Sequence, residues 1–231
     1  MFAKLDKIKL DNYFNELAHI FKRKTHGYNF ELILVGGASI LLNYDFRDIT
    51  NDIDAYYIQS EDIKESIKKV SEKFNISPNW INDDFKTTTS FSDKISEFSV
   101  FYKSYANTLT IRTIKDEYLI AMKLASGRIY KNDISDIIGI INSCRNEGKN
   151  INYKLIDTAV KNLYGNWNNI KKDVKEILLD ILNTKDLNHL YKSTISKENK
   201  HKQGLLDFDA KYKNTLNEAN INEILKMLNN K

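Results

Sequence analysis

Apolar positions in the first 115 residues switch between helical and strand spacing; beyond that point they keep helical spacing. Tyr13, Phe14, Leu17, Ile20 and Phe21 predict a helix over residues 11–25, with Asp11 as N-cap and Thr25-His26-Gly27 as its close. The short apolar run Phe30 to Val35 predicts a buried strand. Gly36-Gly37 ends it and opens a short helix, Ala38 to Asn43. After a polar loop over 45–51, residues 53–58 predict a second strand, on which period two sends Asp52 and Asp54 to one face. Ser60 caps an amphipathic helix through Ile63, Ile67, Val70 and Phe74.

Pro78, the only proline, marks a break beside Trp80. Residues 82–96 lack a clear period. Alternation over 96–102 and 108–113 predicts two strands joined by a hairpin at Tyr105-Ala106-Asn107. From residue 115 the spacing predicts helices over 116–128, 132–146 (Asn132 as N-cap), 152–164, 170–182, 186–195 and 219–229, with 196–213 charged and unassigned. The expected fold is therefore α+β: a small mixed sheet flanked by helices in an α/β-type N-terminal lobe, then an all-helical lobe. The two lobes, 1–114 and 115–231, are expected to share an interface.

Composition narrows the setting more than the chemistry. Apolar residues are 42% and charged residues 29%, ordinary for a globular chain of 231 residues. No uninterrupted apolar run reaches the length of a membrane span, and the start carries no signal-peptide core, so no membrane is expected. A single cysteine, Cys144, forms no internal disulfide and fits a reducing, cytoplasmic setting. Residues 151–231 hold 14 Lys and Arg against 10 Asp and Glu, while residues 1–150 hold 21 of each. The basic excess thus lies in the C-terminal third, as a solvated helical surface or as weak attraction for a phosphate-bearing partner. His19 and His26 have no Cys or His partner at metal-binding spacing and are expected at the surface or in packing.

The chemistry concentrates on Leu32–Tyr57. A Gly-Gly turn at a helix start lets backbone N–H groups approach a phosphate. Two carboxylates on the next strand suit a divalent cation with oxygen ligands. The order Val35-Gly36-Gly37, a fourteen-residue spacer, then Asp52-Ile53-Asp54 resembles the DNA-polymerase-β-like nucleotidyltransferase superfamily. The run Arg47-Asp48-Ile49-Thr50-Asn51-Asp52-Ile53-Asp54 looks like a bacterial variant of that motif. A second block, Glu117 to Arg128 with Lys123-Leu124, followed by Lys131-Asn132-Asp133-Ile134-Ser135-Asp136-Ile137, is similar to abortive-infection-type nucleotidyltransferases, among them toxins of toxin–antitoxin pairs. The two blocks span 32–137.

The resemblance implies an enzyme that moves an NMP from an NTP to an acceptor hydroxyl, with residues 1–114 as catalytic core and 115–231 adding Lys123, Asp133 and an acceptor surface. It implies Mg²⁺, or Mn²⁺, on Asp52 and Asp54. Gly36, Gly37, Ser39, Arg47 and Arg128 would bind nucleotide, and Lys123 would balance phosphate charge. Asp133 would orient Lys123 or assist deprotonation of the acceptor. An RNA (tRNA-like) or protein acceptor is expected, with an antitoxin protein as a candidate partner. The sequence departs from the pattern twice: Ala38 stands where many relatives carry Ser or Thr, and strand 108–113 lacks a third carboxylate. Three rival functions follow: an antibiotic-modifying nucleotidyltransferase, a catalytically silent nucleotide- or partner-binding protein on the same fold, and an RNA-binding module without chemistry.

Overall fold

A computed structural model describes residues 4–213, 215–217 and 220–229. Helix α1 (Lys7–Thr25) begins a turn earlier than its stripe predicts, because Asp6 caps it by accepting the Lys9 N–H at 2.8 Å and Leu10 extends the buried face. Asp11 is not the cap. It lies inside the helix and binds Lys103 and Tyr105 on a strand. His26 closes the helix in the left-handed conformation, and both His19 and His26 are exposed.

Strand β1 (Phe30–Leu34), helix α2 (Gly36–Asn43), strand β2 (Ile53–Tyr56) and helix α3 (Glu61–Phe74) follow the expected order. The aperiodic stretch after Pro78 resolves into a two-residue strand, β3 (Ile81–Asn82), and two 3-10 turns, Asp84–Thr87 and Asp93–Phe98. The second turn buries Ile95 and shifts the next strand, β4 (Ser99–Tyr105), three residues later than predicted. Ala106 and Asn107, with φ of 50° and 52°, make the two-residue turn into β5 (Leu109–Ile114).

The five strands lie in the order β3-β2-β1-β5-β4. β1 is parallel to β5 and antiparallel to β2; β2 is parallel to β3, and β4 antiparallel to β5. Alternation along β1 feeds two cores. Leu32 and Leu34 join Ile53, Ala55, Leu109 and Ile111 under α1 and α3. Ile33 and Val35 face the other way, toward the helices that follow the sheet.

Those helices are α4 (Asp116–Ser126), α5 (Asp133–Asn146), α6 (Tyr153–Tyr164), α7 (Lys172–Asn183), α8 (Leu187–Lys211) and α9 (Ile221–Asn229). The predicted helix over 219–229 starts, for its first position, outside the described residues. One apolar cluster runs from Ile33, Val35 and Ile40 through Leu119, Ile137 and Ile156 to Leu178, so the sheet and the helical half share a core across residue 115. The fold is thus the expected mixed sheet flanked by helices with a helical C-terminal part. The charged stretch after 195 continues α8 to Lys211. It is held where Glu198 meets α5 and where Leu205 packs with Ile221, Ile224 and Leu225 of α9. Among the described residues, no helix is long and apolar enough to cross a membrane.

The loop between α2 and β2 is anchored from both sides. Phe46 packs tilted against Tyr44 and edge-on to Tyr191, and Tyr191 donates to the Phe46 carbonyl at 2.9 Å. The Phe46 ring also presses on Gly139 of α5, where an added Cβ would stand 2.6 Å from ring carbons. Replacing Gly139 with Ala should therefore overpack this contact and destabilise the fold by about 1–3 kcal/mol, read as a lower urea midpoint with unchanged slope.

Candidate active site

The Leu34–Ala55 register and the 2.9 Å bond from the Val35 N–H to the Asp54 carbonyl hold the Gly-Gly turn against β2. Gly36 has φ of 56°, and an added Cβ there would lie 3.3 Å from Asp54 Oδ2. At Gly37 a Cβ would sit 2.9 Å from Thr50 Oγ1 and 3.0 Å from Arg47 Nη2. Both glycines are thus required by close approach, the first also by backbone conformation. Thr50 keeps its place by donating to the Asp52 carbonyl at 3.0 Å and by bridging Leu5.

Along β2, Ile53 and Ala55 point into the core under α1 and α3. Asp54 and Tyr56 therefore face the helical half, where Tyr56 stacks with Phe91. Asp52, on the same side, is exposed, and Asp54 is half-buried. Burial and then the neighbouring Asp52 push the Asp54 carboxyl up to about 6, against the pull of Lys123, Arg128 and Lys131. Among the described residues, no group of three His, Cys, Asp or Glu is arranged to hold a metal ion.

Opposite stands a chain of ion pairs at the start of α5. Lys123 is buried, its Nζ 2.9 Å from Asp133 and 2.7 Å from Asp136. Arg47 Nη1 donates to both Asp136 oxygens at 2.9 and 2.8 Å. Arg128 donates to Asp133 from Nε at 2.9 Å, from Nη2 at 3.3 Å and from its own backbone N–H at 3.2 Å. Spaced three apart in the first turn of α5, Asp133 and Asp136 share one face. Burial opposes charge on Asp133, yet Lys123 and Arg128 hold it well below the ordinary carboxylate range. Burial likewise opposes charge on Lys123, and Asp133 and Asp136 outweigh it.

This geometry sorts the sequence-predicted residues. Gly36, Gly37, Arg47, Asp52 and Asp54 meet where β1 ends beside the start of β2, and Lys123, Arg128 and Asp133 meet at the base of α5. Arg47, through Asp136, joins the two groups. Ser39 is completely buried, and its Oγ has neither exposed surface nor a hydrogen-bond partner. Asp133 is also completely buried and engaged by two cations; its geometry is that of a residue that orients Lys123 and Arg128. Lys123 is closed off by its two aspartates. The cations left toward Asp54 are Arg128, with a third of its side chain exposed, and Lys131.

Sequence reasoning gave no role to Lys131 or Glu198 and read Asp136 only within a motif. Lys131 is drawn toward Asp133, Asp52 and Asp54, while partial burial and Arg128 lower its proton affinity. Asn132, the predicted cap of α5, has no side-chain cap bond, since its backbone is not extended. Instead Glu198 of α8 reaches across, accepting from Ile134 N at 3.1 Å and Ser135 N at 3.2 Å. No local sequence signal marks a cap supplied from 64 residues away.

Fold and site together define an α+β protein with a mixed five-stranded sheet, in which a glycine turn meets Asp54, Thr50 and Arg47. Residues 8–175, well over half of the chain, match the family described as a nucleotidyltransferase of unknown function (DUF6036), and the chain belongs to that family. No curated protein and no solved structure gives a match.

Two stability effects follow. A carboxyl raised by folding favours the native state below its unfolded value, near 3.8, and that contribution is lost as pH rises through about 6. Asp54→Asn should therefore raise native stability at pH 7.5 in chelator by about 1–3 kcal/mol, with the gain vanishing near pH 4 in urea titrations. Lys123→Met leaves Asp133 and Asp136 short of a buried cation and should cost about 3–5 kcal/mol in the same assay.

Proposed function

We propose that the chain is a Mg²⁺-dependent nucleotidyltransferase that moves an NMP from an NTP to an acceptor hydroxyl. The observation that supports this most is the close meeting of Gly36-Gly37 with Asp54, Thr50 and Arg47 opposite the Arg128 and Lys131 cations. Asp52 and Asp54 would hold Mg²⁺ as a pair of hard carboxylate donors suited to a hard cation. Burial, and then the charge of Asp52, raises the Asp54 carboxyl, and a cation would relieve both by favouring its ionised form. When bound, Mg²⁺, or Mn²⁺ in its place, supplies charge stabilisation for the transferring phosphoryl group.

The protein's own residues do the positioning. Gly36 and Gly37 bring backbone N–H groups at the start of α2 close to the triphosphate. Arg128, Lys131 and the outer edge of Arg47 offset charge that builds on the phosphate oxygens. Lys123 and Asp133 stay behind, holding Arg128 and the start of α5 in place. The acceptor hydroxyl oxygen bonds to the α-phosphorus as the bond from the α-phosphorus to pyrophosphate breaks; pyrophosphate leaves, and the hydroxyl proton passes to solvent. The acceptor, RNA or protein, belongs to the same proposal. So do a toxin-like role, an antitoxin partner and a cytoplasmic setting.

A second reading, a silent nucleotide-binding protein, draws on the lack of a three-acid cluster among the described residues. The purified chain, incubated with each α-labelled NTP, Mg²⁺, total bacterial RNA and cell protein, separates the two. Label should enter one acceptor class, fall at least about 100-fold in Asp54→Asn, and fall about 10-fold at low NTP in Lys131→Ala with stability unchanged within about 0.5 kcal/mol. Nucleotide binding without any label transfer would favour the silent reading.

A further inference from the structure

Glu198 sits on α8, beyond residue 175, where the family match ends. It is 4% exposed, an extreme burial for a carboxyl side chain. One oxygen, Oε1, accepts both amide hydrogen bonds at the start of α5; the other, Oε2, is buried without a partner. These two amides belong to the residues between Asp133 and Asp136. The two aspartates in turn hold Lys123, Arg128 and Arg47.

We propose that Glu198 is a positioning residue for nucleotidyl transfer, fixing the first turn of α5 so that Asp133 and Asp136 present Arg128 and Arg47 to the triphosphate. The inference rests on the function proposed above. It gives α8, polar along most of its length, a place in the site. The same helix steadies the loop after α4 a second time: His201 Nδ1 lies 3.1 Å from the Ile129 carbonyl, and Ile129 and Tyr130 pack on the cluster that Leu205 of α8 forms with α9.

The part of Glu198 that reaches α5 is a hydrogen-bond acceptor, Oε1, and accepting from two amides does not require a negative charge. Burial, helped by Asp136, opposes that charge and pushes the Glu198 carboxyl up to about 7 against its bonds to Ser135 and Ile134. Tyr191, Arg47 and Asp48 also stand on that side: besides burial, the Tyr191 hydroxyl feels the charges of Asp136, Arg47, Glu198 and Asp48. A neutral amide of the same shape keeps the acceptor, so Glu198→Gln should preserve the device. Glu198→Ala removes it, and Glu198→Asp withdraws it by one methylene while keeping the acid.

The test compares these three variants with the full-length wild type. In the labelled-NTP assay, Glu198→Ala and Glu198→Asp should lose about tenfold or more in kcat with KM for NTP changed less, and Glu198→Gln should stay within about twofold. Amide hydrogen exchange gives a reading that needs no activity: Ile134 and Ser135 should lose protection in the Ala and Asp variants and keep it in Gln. Wild-type kcat in Glu198→Ala, or a Gln variant as impaired as Ala, would overturn the proposal. Unchanged protection of Ile134 and Ser135 in both the Ala and Asp variants would overturn it too. A wild-type chain that transfers no label contradicts the function above, while the exchange result still decides whether Glu198 holds α5.

Discussion

A lysine taken out of water needs its charge answered nearby, and here two aspartates answer one ammonium. Lys123 lies buried between Asp133 and Asp136, and each aspartate then needs a second cation to balance it. Arg128 arrives from the loop after α4 and Arg47 from the loop after α2. Three separate pieces of chain are thereby tied to the first turn of α5. The Gly-Gly turn rides on the same loop, since Arg47 leans over Gly37 while its guanidinium grips Asp136. The apolar cluster shared by sheet and helices holds the two halves together, and the buried triad fixes where Arg47 and Arg128 sit between them.

Asp54 behaves in the opposite way to Asp133. Asp133 is held ionised by its partners; burial first, and then Asp52 beside it, pushes Asp54 toward neutrality. Environments that drive neighbouring acids apart are typical of sites where one set serves structure and the other meets a ligand. The split follows from topology. Asp133 and Asp136 lie at a buried helix start, and Asp52 and Asp54 lie where β2 enters the sheet from an exposed loop.

Much of this was legible in the chain. Period two around Asp52-Ile53-Asp54 placed both acids on one face, and Leu32 to Val35 followed by two glycines marked the strand and helix that hold them. Interactions distant in sequence were not legible. The cap of α1 lay at Asp6 because Leu10 is buried, a fact of packing with Thr50's neighbour Leu5 and the sheet. Asn132 looked like a cap by residue type, and Glu198 took that role from another helix. Lys123 looked like a phosphate ligand by motif, and its neighbours enclose it instead. Residues 196–211 gave no apolar stripe because only Glu198 and Leu205 there are buried; contact with α5 and α9 keeps them helical.

The central claim is that the acids of β2 and the Gly-Gly turn form one phosphate and cation site. A crystal structure of the chain with a non-hydrolysable NTP and Mn²⁺ tests it most directly. Anomalous density for the metal should lie between the Asp52 and Asp54 carboxylates, with the triphosphate against Gly36-Gly37 and within reach of Arg128 and Lys131. A nucleotide bound elsewhere, or a triphosphate at the glycines with no metal on either aspartate, would contradict the account.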